Sequence, residues 1–190
     1  MGMEQSSWWY VLYVRTNAEN RVIEEMIRFS EKLNLPYTVE PFVLESEQYY
    51  RSKKFRQMGK NYQKRPMFPG YVFIETNMPD KEFIACFSDY ISKSEHIIRL
   101  LHSGNENDLA ISHREQTTLE YLFLGKKCLE HSEGYINGED IVITSGPLKG
   151  QEGKIKKINR HNRVAYVEIE FFNQIQLVKV ALEIIEKRTV

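Results

Sequence analysis

Trp8-Trp9-Tyr10-Val11-Leu12-Tyr13-Val14 is a seven-residue run without a charge, built from aromatic and branched side chains. A run of this kind belongs to a central strand, where such side chains pack well against a pleated surface. The next segment changes period. Thr16 and Glu19 have capping-box spacing, and Val22, Ile23, Met26, Ile27 and Leu33 recur at helical intervals until Pro36 stops them. Tyr37 to Leu44 reads as a second strand, at an edge or bulge because Pro41 cannot donate to a ladder. Met67 to Ile74 reads as a third, entered through the turn signal Pro69-Gly70. Asp80 to Ile91 places Phe83, Ile84, Phe87 and Ile91 on one helical face behind Pro79, and His96 to Leu101 returns as a strand. Ser112 and Glu115 open a third helix, whose Leu119, Leu122 and Phe123 face inward and which Gly125 ends.

The order up to residue 125 is therefore strand, helix, strand, strand, helix, strand and a closing helix. Residues 126–137 show no strong period and read as a linker. Beyond them the texture shifts to short strands with glycine turns: Asp140 to Thr144, Gly153 to Ile158, Val164 to Phe172, Ile175 to Val180 and Leu182 to Ile185. About 55 residues of that texture suit a small barrel. The fold class expected is α+β, an antiparallel sheet flanked by helices (1–125) followed by a small C-terminal β-barrel (138–190).

Charge is distributed unevenly along the chain. Lys plus Arg is 26 and Asp plus Glu is 26, so the total is zero, yet residues 49–65 hold seven basic residues and no acid. The remainder is then minus seven. Tyr49, Tyr50, Phe55 and Tyr62 interrupt the basic residues Arg51, Lys53, Lys54, Arg56, Lys60, Lys64 and Arg65, and no apolar stripe docks the segment. It reads as an exposed arm or hairpin. Cations displace counterions from phosphates while rings stack on unpaired bases, which is what a nucleic-acid surface needs; a solvated loop is the plainer alternative. Lys154 to Arg163 adds five more basic residues without an acid, alternating with apolar positions as a strand entering a turn does.

Other functions find little support. No stretch reaches the roughly 18 apolar residues of a membrane span, and Met1 to Ser7 is polar, so a cytoplasmic location is expected. Cys86 and Cys128 are too few for a disulfide framework or a cysteine-rich zinc site, and are expected to pack as small apolar residues. Gly153-Lys154 lacks a glycine at Leu148 and a Ser or Thr at Ile155, so it is no phosphate loop. The five histidines, His96, His102, His113, His131 and His161, form no His-Glu-x-x-His pattern, and the Cys128–His131 gap has no second ligand pair. An enzyme is not expected, nor any catalytic residue, cofactor or metal.

Two blocks carry a resemblance. Arg65-Pro66-Met67-Phe68-Pro69-Gly70-Tyr71-Val72-Phe73-Ile74, with Trp9-Tyr10-Val11, is similar to the Phe-Pro-Gly-Tyr strand and opening strand of the NusG transcription elongation factors. Gly138 to Gly150, followed by Gln151-Glu152-Gly153-Lys154-Ile155, looks like that family's KOW motif, in which Gly146-Pro147 and Gly150 would permit a tight turn and Gly153 a close approach or bulge. The resemblance covers essentially the whole chain and implies an NGN-type α/β sandwich plus a KOW β-barrel. It also implies that Trp9, Phe68 and Tyr71 line an apolar groove gripping the clamp helices of RNA polymerase, large anchors of the hot-spot type. Within the family the basic block, the arm and the short linker resemble the specialised LoaP-like antiterminators. The last strands, Phe171 to Val180, lack the pattern of housekeeping members, which leaves barrel binding to a ribosomal protein or to Rho open.

The function this implies is processive antitermination by a monomer. It would bind RNA polymerase and be recruited by an RNA hairpin in the nascent leader transcript, with other elongation factors as further partners. The expected RNA contacts are Arg51, Lys53, Lys54, Arg56, Lys64 and Arg65, with Lys157, Arg160, His161 and Arg163 as a second surface. Two alternatives stay open: a general elongation factor that reads no specific RNA, and a structural KOW-containing RNA-binding protein.

Overall fold

The Trp8–Val14 run forms β1, an interior strand of a four-stranded antiparallel sheet in the order β2-β5-β1-β6. Its neighbours are β5 (Tyr71–Thr76) and β6 (Ile97–Leu100), and β2 (Val39–Phe42) lies at the edge that Pro41 demands. The computed structural model describes residues 7–50, 57, 59, 61–102, 109–172 and 174–188. By its internal contacts the chain divides into two compact units, residues 1–43 with 68–117 and residues 44–67 with 118–190.

In the first unit the two faces of the sheet have different tasks. Alternation along β1 sends Tyr10, Leu12 and Val14 into one core with Val72 and Ile74 of β5, where helices α1 (Glu19–Leu33) and α2 (Asp80–Lys93) cover them. Val22 and Met26 of α1 and Phe83 and Phe87 of α2 are fully buried there. Each such side chain contributes about 1.5–3 kcal/mol by leaving water. Phe83 stacks on Tyr10 at 4.0 Å between ring centroids, and Phe29 stacks on Tyr90 at 4.6 Å. Ile27, Leu33 and Ile84, which the helical stripes include, sit exposed at the rim.

The start of α1 differs from expectation. Its N-cap is Ala18, with no side-chain cap, so Thr16 and Glu19 form no capping box. Glu19 instead turns inward, buried, and accepts a 2.7 Å hydrogen bond from the Gly70 amide. Gly70 has φ 84°, and a Cβ there would lie 3.2 Å from both the Tyr13 ring and the Val14 carbonyl oxygen. The turn before β5 therefore requires glycine. At α3 (His113–Phe123) the capping box does form: the Glu115 amide donates to Ser112 Oγ at 3.3 Å, and the Ser112 amide to Glu115 Oε2 at 3.1 Å.

The second unit is built on β12 (Gln174–Arg188), a 15-residue strand at the centre of the order β10-β11-β12-β8-β9. Its first half pairs antiparallel with β11 (Val164–Phe171), which also pairs with β10 (Ile155–Asn159). Its second half pairs parallel with β8 (Ser132–Asn137), which forms a hairpin with β9 (Asp140–Ser145). The two last strands expected from the sequence are thus one. Ala165, Val167, Ile169 and Phe171 alternate inward along β11 and pack with Val178, Val180 and Leu182 as a second core.

Two further features differ from expectation. Within 126–137, read from the sequence as a linker, lie β7 (Cys128–Leu129) and β8. Ser132 and Gly134 occupy the inward positions of β8, so no hydropathy period marks it. A Cβ at Gly134 would overlap the Val142 carbonyl oxygen, whereas Gly153 lies in a 3₁₀ turn (Glu152–Lys154) with open space around it and no close approach. The basic segment, read from the sequence as an arm or hairpin, is rooted in a hairpin of β3 (Glu45–Tyr49) and β4 (Tyr62–Pro66), and β3 also pairs parallel with β7.

Candidate nucleic-acid interface and aromatic face

On the face of the first sheet opposite the helices, Trp9, Val11 and Tyr13 lie across from Glu75, Phe73 and Tyr71. Phe42 pairs with Phe73 from the edge strand. The rings form a continuous row. Trp9 meets Phe42 at 5.1 Å and Phe73 at 6.0 Å, Phe68 meets Phe73 at 6.1 Å and Tyr71 at 6.3 Å, and Tyr71 meets Tyr13 at 5.5 Å. The three anchors expected from the sequence are therefore members of one aromatic row. Trp9 is 2% exposed and Phe68 3%, while Tyr71 is half-buried. Phe42, Tyr13 and Phe73 belong to the row as well, and the alternation of β1 and β5 could have indicated the last two.

The described basic residues among the expected RNA contacts lie in the second unit. Lys64 and Arg65 are exposed on β4, where the Arg65 guanidinium donates to Gln63 Oε1 at 3.1 Å. Lys157 is exposed on β10, 5.9 Å from the centroid of its cross-strand partner Tyr166. Arg160 and His161 are exposed in the turn between β10 and β11, held by bonds from the Arg163 amide to the Arg160 carbonyl and from the Asn162 amide to Asn159 Oδ1. Lys156, their neighbour, pairs with Glu168 at 2.8 Å. Arg51, Lys53, Lys54 and Arg56 lie outside the described residues.

Arg163 differs from its neighbours because it is half-buried and fully engaged. Its Nη1 lies 3.0 Å from Glu183 Oε1, and its guanidinium sits 4.1 Å from the ring centroid of Tyr49. The second oxygen of Glu183 accepts from the Tyr62 hydroxyl at 3.2 Å. Burial, and then the Glu183 carboxylate, push that phenol up to about 12. On its other side the Tyr62 ring stacks on His131 at 4.3 Å, and His131 Nδ1 lies 2.8 Å from Glu47 Oε2. Ser46 Oγ donates to the Lys179 carbonyl, so the hairpin is tied to β12 by side chain and backbone together. The sequence reading assigns no such role to Glu47, His131 or Glu183; Glu183, one of two acids in β12, gives no local signal of it.

Cys86 and Cys128 are half-buried free thiols, as expected of packing residues, and burial pushes the Cys128 thiol up. Among the described residues no three His, Cys, Asp or Glu side chains converge as a metal site. No described helix is long and apolar enough to cross a membrane. A cleft of about 580 Å³ in the first unit is lined by Arg21, Glu25, Phe29, Asp89, Tyr90 and His96. Its cations are paired, Arg21 with Glu25 and the further lining residue Lys93 with Asp89, each at 2.9 Å, which leaves the Glu95 carboxylate in excess.

Residues 7–120 match the family model described as transcription termination factor nusG, and residues 137–170 match the KOW motif. The chain is 23% identical over 167 residues to the transcription termination/antitermination protein NusG of Rickettsia conorii, covering 87% of this chain and 82% of the relative. It is 22% identical over 185 residues to the protein of that name from Staphylococcus epidermidis, covering 94% of each. A structure titled "Domain interaction in Thermotoga maritima NusG" superposes with a TM-score of 0.53 at 19% identity, covering 94% of each chain, a likeness of fold. A helix-flanked sheet with an aromatic face, followed by a KOW unit, thus defines a transcription factor rather than an enzyme. The chain belongs to the NusG family of transcription termination and antitermination factors.

Proposed function

We propose that the chain is a processive antitermination factor of the LoaP-like kind, which grips RNA polymerase and is recruited by an RNA hairpin in the nascent leader transcript. In this reading residues 1–125 are the polymerase-binding domain, 126–137 the connection and 138–190 the KOW domain, and the protein acts as a cytoplasmic monomer. The aromatic row containing Trp9, Phe68 and Tyr71 supplies the grip on the clamp helices, with large rings of the type that dominates interface energetics. The RNA is held by the basic arm (Arg51, Lys53, Lys54, Arg56, Lys64, Arg65) and by the exposed residues Lys157, Arg160 and His161 at the barrel turn that Arg163 closes.

One observation carries the RNA half. Lys64, Lys157, Arg160 and His161 are exposed, and among the described residues no carboxylate pairs with any of them within salt-bridge distance. Exposed cations without carboxylate partners suit phosphate contact, whereas surface charges kept only for solubility are commonly laced with opposite ones, as Lys156 is with Glu168.

The relatives' name, transcription termination/antitermination protein, does not separate this reading from a general factor of the family that reads no specific RNA. A gel shift at fixed salt decides between the two: preference for the chain's own leader hairpin over a scrambled hairpin supports recruitment, and equal affinity overturns it. Binding to an isolated clamp-helix coiled coil, lost in Tyr71→Ala, tests the polymerase half and separates both from a purely structural RNA-binding protein.

A further inference from the structure

We infer that Arg163 is a positioning residue rather than a phosphate contact: with Glu183 it fastens the root of the basic arm to the β10–β11 turn, so that two clusters far apart in sequence bind one RNA duplex together. This rests on the RNA-recruitment reading and adds to it the way its two surfaces are joined.

The fastening is made at the end of the β3–β4 ladder. Tyr49 and Tyr62 are Cα partners, the final rung of the β3–β4 ladder, with ring centroids 5.7 Å apart. The guanidinium of Arg163 lies over the first ring at 4.1 Å, and the carboxylate that pairs with it at 3.0 Å accepts from the hydroxyl of the second at 3.2 Å. One carboxylate thereby serves the turn through one oxygen and the hairpin through the other. The turn's backbone is held at the same point, because Arg163 has φ 52° and its carbonyl accepts from the Leu182 amide at 3.0 Å, next to Glu183.

This geometry also sets the role of each cation. A phosphate approaching Arg163 would compete with a carboxylate already in place and with a ring covering the guanidinium. Arg160 and His161 on the same turn are exposed instead. Lys64 lies two residues along β4 from Tyr62, on the same face of the hairpin, and is exposed too. Arginine suits the joint because a planar guanidinium stacks and pairs at once, which an ammonium does not. Two weak phosphate sites held at a fixed spacing act as a bivalent surface, and affinity depends on the joint even though the joint touches no RNA.

The test uses the full chain and an RNA hairpin of about 20 base pairs, with affinity measured across a salt series. Removing the Glu183 charge should by simple electrostatics tighten RNA binding. As a joint, Glu183→Gln weakens it about five- to tenfold and makes the salt dependence shallower, because one cluster no longer engages together with the other. Arg163→Lys keeps the charge and gives the same result, and Tyr62→Phe, which keeps the ring, gives a smaller loss in the same direction. Thermal unfolding confirms that each variant is folded. Unchanged or tighter binding by Glu183→Gln, with Arg163→Lys unchanged, overturns the positioning role while leaving RNA recruitment intact. Absence of RNA binding by the unmodified chain at low salt overturns both.

Discussion

The carboxylate of Glu19, buried at the first position of α1, is bonded at 2.7 Å to the amide of Gly70 at the turn into β5. A single acid thus joins the first helix to the Phe-Pro-Gly-Tyr block. Charge-assisted bonds of this type are stronger than neutral ones, and removing the acceptor leaves a buried N–H unpaired. Glu19→Ala is expected to cost about 2–3 kcal/mol by urea unfolding, and Glu19→Gln, which keeps an acceptor, about half of that. Equal losses for the two would show that the charge and the bond contribute nothing separable.

The aromatic row allows packing and recognition to be told apart. Trp9 is buried among Phe42 and Phe73, so Trp9→Ala is expected to lose about 3–5 kcal/mol of stability. Tyr71 is half-buried, and Tyr71→Ala should cost much less stability yet reduce clamp-helix affinity about tenfold or more. Paired unfolding and binding measurements on the two variants test this division.

A methyl group at position 134 has nowhere to go. It would overlap the Val142 carbonyl oxygen of the adjacent strand, a backbone atom, and lie 3.1 Å from the Ile143 side chain. Gly134→Ala is expected to destabilise the second unit by at least about 2 kcal/mol. Amide exchange should then accelerate in β8, β9 and β12, with β1 and β5 unaffected.

Alkaline pH should loosen the hairpin. Tyr62 is pushed up to about 12, first by burial and then by Glu183, while an unfolded tyrosine titrates near 10. Below about pH 10 the phenol is neutral in both states and its contribution is fully present. As pH rises from there towards 12, the unfolded chain releases a proton that the folded chain retains, and stability falls. Burial and then Glu25 push Tyr90 up to about 12, which acts in the same direction in the first unit. Urea midpoints measured from pH 8 to pH 11 should decline, and Tyr62→Phe should flatten the decline of the second unit.

Much of the architecture was legible where hydropathy has a period. Val22, Met26, Phe83 and Phe87 announce their helices, and Ala165 to Phe171 alternate along β11 as a half-buried strand should. Where the inward face is small or polar the signal vanishes, as with Ser132 and Gly134 in β8. The Thr16–Glu19 spacing misled because a buried partner, the Gly70 amide, attracts the carboxylate that a capping box would use. The two basic clusters stand out in the charge pattern of the chain, but not the joint between them. That joint depends on Glu183 and Tyr49, which the chain separates widely and which only the β11–β12 pairing and the Ser46–Lys179 bond between β3 and β12 bring together.

The length and position of β12 carry a consequence for biosynthesis. It is the central strand of its sheet, with β11 on one side and β8 on the other, yet it leaves the ribosome after every strand it joins. A lone two-stranded hairpin such as β8–β9 is marginal in water, and strands distant in sequence pair slowly. The four-stranded sheet of the first unit, whose last strand ends at Leu100, can assemble while residues 174–188 are still being translated. The Ser46–Lys179 bond that ties the hairpin to β12 forms only afterwards. During that interval the nascent chain already carries its aromatic sheet, while the hairpin still lacks the anchor that β12 supplies.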